Sequence, residues 1–460
     1  MERISGRLKW IVGIAFALRV AVLLYVLRAG FVTGEGRVLS DLATNLLSGR
    51  GYMLSPEMLL PAERAVDHAE MHDAGFEFYR RVDGFYGVLR PGRPTTFLVP
   101  GYVYFMSAVY AVAGVGSFGA VRAVQLALVG MLSVLVGISL ARRFLSGVPL
   151  LLASLFMAVD PFEIYFEAIP ATQALFSLAF LTSMLLSLRA VDRRGAGSAI
   201  LAGAAWGLTF LIRPVALLGA GVLVICFALA HIPVRRRVLL VAASSMTTAA
   251  AVLPWVLWMH AQTGQIGLSP TQGGVNLWEF NARPFSSYYV DEQEGMQALY
   301  GPLRSEFSGR LSRPDLAEFP EFRDEPEAFR DSVLTGRTLA FLRANPELFA
   351  RMLLIRFADF VKPFSFNQAS PARLVLGFLT WGVVLLFAAG GALVMLRKRD
   401  PGAVLLLGTV FLYSLFHVAT VAGIPYRVAI DFPAAVFAAA GLGEMAGRIR
   451  ASRCRIRPAA

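Results

Sequence analysis

FVTGEGRVLSDLATNLLSGRGY, residues 31–52, begins where a long apolar run ends. That run, residues 8–29, has the roughly 20 apolar residues a helix needs to cross a bilayer. An acid, Glu35, then stands between Gly34 and Gly36, and the chain continues as VLSDLATNLL with Leu39, Leu42, Leu46 and Leu47 at helical spacing. The spacing predicts an amphipathic helix lying on the membrane and closed by Gly49 and Gly51. Such a helix holds Glu35 at the boundary between lipid and water.

The whole chain has the composition this reading requires. Of 460 residues 56% are hydrophobic and 16% charged, with mean hydropathy +0.60, whereas a soluble domain carries about 25% charged residues. The net charge of +12 sits in short clusters between apolar runs, at Arg3/Arg7/Lys9, Arg142/Arg143, Arg193/Arg194, Arg235 to Arg237, Arg397 to Arg399 and the tail. Clusters so placed mark cytoplasmic loops, so nucleic acid is excluded as a partner. Cys226 in an apolar run and Cys454 in the basic tail imply no disulfide framework. The opening run is too long for a signal h-region and lacks a small-residue cleavage site, which makes it an uncleaved first span.

Apolar runs occupy 8–29, 97–114, 118–141, 147–161, 170–190, 197–212, 214–231, 237–259, 372–396, 402–422 and 427–446. The run 97–114 has Pro100 and Gly101 near its start and is crowded with aromatic residues, so it is read as a surface helix. The expected architecture is an all-α bundle of about ten transmembrane helices, with amphipathic surface helices in the first outer loop. Both termini are then cytoplasmic. The chain divides into a membrane module, 1–259, containing the outer loop 30–117; a second outer loop, 260–371; and C-terminal spans with a basic tail, 372–460. Two large loops and three short polar links, at Asp160 to Gln173, at Arg213-Pro214 and before Arg427, share the outer face.

Several local patterns carry no function. GVGSFG at 114–119 has the G-x-G-x-x-G spacing but no strand before it, and is read as a turn. DHAEMHD at 67–73 lacks the H-E-x-x-H order and is read as a solvated loop. The acid-rich stretch 314–332 is an exposed surface, and His231, His260 and His417 are comfortable as amphipathic rings near span ends.

Further landmarks run in order along the chain. Ala43, Asn45, Leu46, Leu47, Gly49, Gly51 and Tyr52 fit A-x-N-L-L-x-G-x-G-[FY], and RPGRPTTFLVPGYVYF supplies Arg90, Arg93, Pro94, Pro100, Gly101 and Tyr102. GLTFLIRPVALL looks like G-L-x-x-L-x-R-P, GGVNLWEFN looks like G-G-x-N-L-W-x-G-N, and IPYRVAIDFP resembles R-Y-R-x-P-x-x-P. In this order the motifs resemble the bacterial polytopic glycosyltransferases of the GT-C fold, the family 39 group that includes protein O-mannosyltransferases and lipid A aminoarabinose transferases. Two departures stand out. Gln173 occupies a place where many relatives carry an acid, and Met259-His260 replaces an R-N pair.

The resemblance implies transfer of a hexosyl or pentosyl group from a polyprenyl-phosphate donor to a lipid, glycan or protein acceptor. The enzyme would sit in a bacterial inner membrane with its active face periplasmic. It requires no assigned cofactor; a divalent cation is compatible, with no ligand set identified. A transfer of this kind needs a carboxylate to take the acceptor's proton and cations to hold the phosphate. Glu35 is the candidate base, with Asp160 and Glu163 as further catalytic candidates in place of the acid absent at Gln173. Arg90, Arg93, Arg213 and Arg427 are candidates for the phosphate, and Tyr102, Gln173 and Tyr426 for other substrate contacts. Each arginine also has a structural reading, as a snorkelling or lipid-anchoring side chain. Two other functions stay open, a lipid or solute flippase and a catalytically silent relative. A transporter is expected to show repeated halves and broken helices at the midplane, and no such repeat is visible.

Overall fold

The computed structural model describes residues 2–29, 34–55, 92–268, 270–285, 294–307, 309–312, 325–363 and 371–456. Among the described residues the chain is all-α, with one isolated bridge between Met53 and Pro94. The first part comprises α1 (Glu2–Ala29), α2 (Gly34–Leu47), α3 (Gly101–Ala113), α4 (Phe118–Ala141), α5 (Gly147–Val159) and α6 (Pro161–Glu167). There follow α7 (Thr172–Arg193), α8 (Ala196–Phe210), α9 (Leu217–Ala228) and α10 (Val234–Thr263). The segment 260–371 contributes α11 (Gly273–Asn281), α12 (Glu294–Phe307), α13 (Glu327–Ala344) and α14 (Pro346–Val361), followed by α15 (Leu374–Arg397), α16 (Pro401–Thr420) and α17 (Ile424–Ile456).

All ten runs expected to span are helical, and the chain is a multi-pass membrane protein. Among the described residues seven single helices, and α5 with α6 taken together, are long and apolar enough to cross a bilayer, while α8 and α9 are shorter. The cause is Arg213-Pro214: the residue before a proline is pushed out of helical geometry, and Arg213 is extended at φ −150°, ψ 123°. The break exposes a guanidinium between two apolar helices.

The helix α2 begins at Gly34, upstream of the amphipathic segment, so Glu35 lies in its first turn, where the peptide dipoles favour an acid. Most of its apolar face packs on protein, although Leu47 is exposed. Val38, Leu39, Leu42 and Ala43 are buried against protein, with Ser40 Oγ 2.8 Å from the Tyr110 hydroxyl of α3. The motif after α2 is a reversal: Gly49 and Gly51 take φ +75° and +92°, and Asn45 Nδ2 donates to the Met53 carbonyl at 2.7 Å. Tyr52 then donates to the Leu98 carbonyl at 3.0 Å and meets Trp255 and Trp258 edge-on. Gly101 lets α3 start against the α8 end, its N–H donating to the Leu211 carbonyl at 2.6 Å, where a Cβ would collide.

One carboxylate fastens the second outer loop to the first. Glu327, at the start of α13, accepts from Thr95 Oγ1 and the Thr96 N–H at 2.8 Å, and from the Thr96 and Thr271 hydroxyls at 3.1 Å. One turn on, Asp331 accepts the Gly274 N–H, and a side chain at Gly274 would strike the Asp331 carbonyl. Arg356 of α14 is buried and donates to Tyr300 Oη and Asn281 Oδ1 at 3.0 Å and to the Ala419 carbonyl at 3.2 Å, which ties the same loop to α16. Glu327→Ala is expected to destabilise the outer-loop assembly by about 1–3 kcal/mol, because it strands buried donors. Thermal unfolding of the purified protein in micelles measures this, and an unchanged midpoint would remove the clamp.

Candidate functional site

Where the segments 34–47 and 97–99 meet α11 and the ends of α7, α8, α16 and α17 lies a cavity of about 360 Å³. Glu35, Val38 and Leu39 of α2 form one side, with Phe97 to Val99 beside them. The start of α7 contributes Thr172 and Gln173, the α8–α9 break contributes Ile212 to Val215, and Gln272 completes the lining with Asn276, Glu279 and Phe280 of α11. Phe416, His417, Thr420 and Tyr426 come from α16 and α17.

Thr172 is the hub. Its backbone N–H favours the charged form of the Glu35 carboxyl, and its hydroxyl accepts from Arg213 Nε and Nη2 at 3.0 and 2.9 Å. The Arg213 guanidinium is sandwiched between the rings of Phe176 and Tyr426, at 5.5 and 5.6 Å from their centroids, with Nη1 3.5 Å from the Pro425 carbonyl. None of the ion pairs among the described residues involves it. A cation held by a hydroxyl and two aromatic faces retains its capacity to pair with an anion. The Glu35 carboxyl is raised above the ordinary carboxylate range by burial, which outweighs the opposing effects of Arg213 and the Thr172 N–H.

Of the residues singled out in the sequence, Glu35, Gln173, Arg213 and Tyr426 line this one cavity. Gln173 is nearly enclosed, with Oε1 unpartnered. Tyr102 stands behind Glu35, fully buried, and donates to Gln125 Oε1 at 2.5 Å while Gln125 Nε2 donates to the Ile169 carbonyl at 2.9 Å. Arg93 is exposed and off the cavity, and Arg90 and the 67–73 stretch fall outside the described residues.

Asp160, Glu163 and Arg427 are not on the cavity wall; each is enclosed within the helix bundle. Arg427 donates from Nε to Asp431 Oδ1 at 3.1 Å and from Nη1 to the Lys362 carbonyl, with its guanidinium 4.8 Å from the Phe162 centroid and 4.2 Å from that of Trp381. Asp160 caps α6 by accepting the Phe162 N–H at 3.1 Å. Glu163 lies beside Ser177, one turn along α7 from Gln173, and Glu167 pairs with Arg19 of α1 at 2.8 Å. Arg427 and Arg19 offset the buried acids only in part, because Asp160 Oδ2, Glu163 Oε1, Glu167 Oε2, Arg427 Nη2 and Asp431 Oδ2 are buried without a hydrogen-bond partner.

The sequence reading missed Thr172, His417 and Glu279 as cavity residues. Glu279 had one signal: it fills the variable position of the N-L-W-x-G-N-like motif, with Arg283 four residues on. Among the described residues no group of three or more His, Cys, Asp or Glu side chains has metal-ligating geometry. The donor set at the cavity does not fit a divalent cation, and no step is routed through one.

Comparison with known proteins gives a family match over residues 93–258, to the model of dolichyl-phosphate-mannose-protein mannosyltransferase. The matched segment contains Arg93-Pro94, Pro100 to Tyr102 and Arg213-Pro214. No curated protein matches the chain. Among solved structures the chain is similar to the archaeal oligosaccharyltransferase AglB from Archaeoglobus fulgidus, in complex with an inhibitory peptide and a dolichol-phosphate. That likeness has a TM-score of 0.49 and 12% identity, over 98% of this chain and 52% of that one. A crystal structure of the same organism's oligosaccharyltransferase in complex with Zn and sulfate matches at TM-score 0.43 and 14% identity, over 78% of this chain and 42% of that one. ArnT from Cupriavidus metallidurans bound to undecaprenyl phosphate matches at TM-score 0.39 and 14% identity, over 94% of this chain and 78% of that chain. The chain thus spans about half the length of the first structures it matches.

Proposed function

We propose that the cavity transfers a sugar from a polyprenyl-phosphate donor to an acceptor hydroxyl on the non-cytoplasmic side of the membrane. One observation carries the reading: the Glu35 carboxyl, Thr172 and the Arg213 guanidinium line one cavity, with the guanidinium donating to the Thr172 hydroxyl. In the reaction the acceptor oxygen bonds to the anomeric carbon as the carbon–phosphate oxygen bond breaks, and Glu35 takes the acceptor's proton. The polyprenyl phosphate leaves with the bonding pair, and Arg213 meets the charge growing on its oxygens. A single displacement of this kind inverts the anomeric centre.

The family match over residues 93–258 supports the reading. The side of the membrane is supported by charge. The helix α7 starts at the cavity with Thr172 and ends at Arg193, and the clusters Arg142/Arg143, Arg235 to Arg237 and Arg397 to Arg399 also lie at helix ends away from the cavity.

Arg213→Ala is expected to weaken binding of undecaprenyl phosphate by roughly ten- to a hundredfold, the loss of a hydrogen bond to a charged group. Titration of the full-length protein in nanodiscs measures it. Arg213→Lys recovers only part, because an ammonium cannot reproduce the planar fork between two rings. Equal affinity in all three proteins would take the phosphate away from this cavity.

A further inference from the structure

The cavity carries a second carboxylate that the transfer chemistry leaves unused. Glu279, near the end of α11, lines the cavity, and Arg283 holds both of its oxygens from Nη1 at 2.8 and 2.5 Å. The pair is no ordinary surface contact. Glu279 is 12% and Arg283 17% exposed, and the guanidinium lies 5.9 Å from the Trp278 ring centroid. Enclosing two charges costs more than an exposed pair returns, so packing alone gives no reason to place them on a cavity.

Gln272, Asn276 and Glu279 all line the cavity, spaced by four and three residues, so they form one polar stripe along one face of α11. The stripe is rigidly backed. The Gly274 N–H is fixed by Asp331 and the Thr271 hydroxyl by Glu327. Phe280, Phe416 and Tyr426 supply flat apolar faces around it. Ligand classes can be tested against this stripe. A phosphate would face the Glu279 carboxylate. A polyprenyl chain would leave two amides without partners and the Glu279 carboxylate with Arg283 alone. Vicinal hydroxyls satisfy all three, since a carboxylate accepts from two neighbouring O–H groups and each amide both donates and accepts.

We infer that α11 is the sugar-reading wall of the cavity and that Glu279, oriented by Arg283, determines specificity by accepting hydrogen bonds from adjacent hydroxyls of the transferred sugar. This rests on the proposed transferase reading, with the phosphate on Arg213 and the sugar between α2 and α11.

The test compares two kinds of probe on the full-length protein in nanodiscs. One is undecaprenyl phosphate; the other is undecaprenyl phosphate carrying mannose, glucose, galactose or 4-amino-4-deoxyarabinose. In the unaltered protein the best sugar-bearing probe should bind roughly ten- to a hundredfold tighter than the bare carrier. Glu279→Ala should abolish that gain and leave affinity for the bare carrier unchanged. Glu279→Gln, which keeps an acceptor oxygen for Arg283, should lose most of the gain and guards against a folding defect in the alanine variant. Asn276→Ala should lose part of it. A full gain in Glu279→Gln, equal weakening of both probes, or no gain with any sugar would overturn the inference. Failure of the transferase reading looks different: the bare carrier then does not bind, or binds regardless of Arg213.

Discussion

Glu35→Gln is expected to lower turnover by roughly 10²–10⁴-fold, the range for losing a positioned general base, while the affinity for undecaprenyl phosphate stays unchanged. The substitution preserves shape and keeps an acceptor oxygen in the first turn of α2, so the helix start is undisturbed. What it removes is the site that takes the acceptor's proton. Unchanged turnover from a polyprenyl-phosphate donor would eliminate Glu35 as the base.

The same residue fixes the direction of a pH dependence. Burial raises the Glu35 carboxyl above its ordinary range, so the active, deprotonated form is lost at a higher pH than for an exposed glutamate. The acidic limb of the turnover profile should therefore lie above the usual glutamate titration. For stability the sign is opposite to that of a salt-bridged acid. The folded state binds this proton more tightly than the unfolded state, so the group's contribution weakens as pH rises through the raised value. Arg213 opposes the shift, so Arg213→Ala should move the acidic limb further up.

The membrane helices were legible because apolar runs bounded by arginine clusters leave few alternatives for a backbone in lipid. The break at Arg213-Pro214 was legible for a local reason, the steric demand of proline. Glu35 and Arg213 were noticed as charges at span ends, but their meeting through Thr172 was not, since a threonine at a helix start looks like any other. Where α2 packs was also hidden. Its apolar stripe is the same whether it faces lipid or α3, and only the tertiary contact decides.

Glu279 illustrates the opposite failure. An acid in a long polar loop reads as solvated, and its enclosure depends on Glu327 and Asp331 drawing α13 over α11. No local pattern carries that information. Arg427 shows how a correct inference about cost can miss the cause. A guanidinium on the outer side of a span does demand a partner, and the sequence reading expected a phosphate. The partners in the structure are Asp431 one turn away, together with the rings of Phe162 and Trp381 from two other helices.

That arrangement predicts a large loss of stability. Arg427 and Asp431 are both fully enclosed, and Asp160 also faces Asp431. Removing the guanidinium leaves the carboxylates facing one another without the cation, and breaking one side of a buried pair typically costs about 3–5 kcal/mol. Arg427→Ala is therefore expected to unfold far more readily when the protein is titrated with denaturing detergent in micelles. Arg427→Met combined with Asp431→Leu should restore most of the stability, since apolar replacement of a whole pair is often neutral or favourable. Arg427→Lys should fall between, because it keeps charge but loses the planar stack between two rings. If Arg427→Ala instead unfolds normally and loses undecaprenyl phosphate binding, the guanidinium reaches the carrier and the pair is part of the binding machinery. Normal folding and normal binding together would mean that the helix interior accommodates the uncompensated carboxylates, and the enclosed acids would then need another explanation.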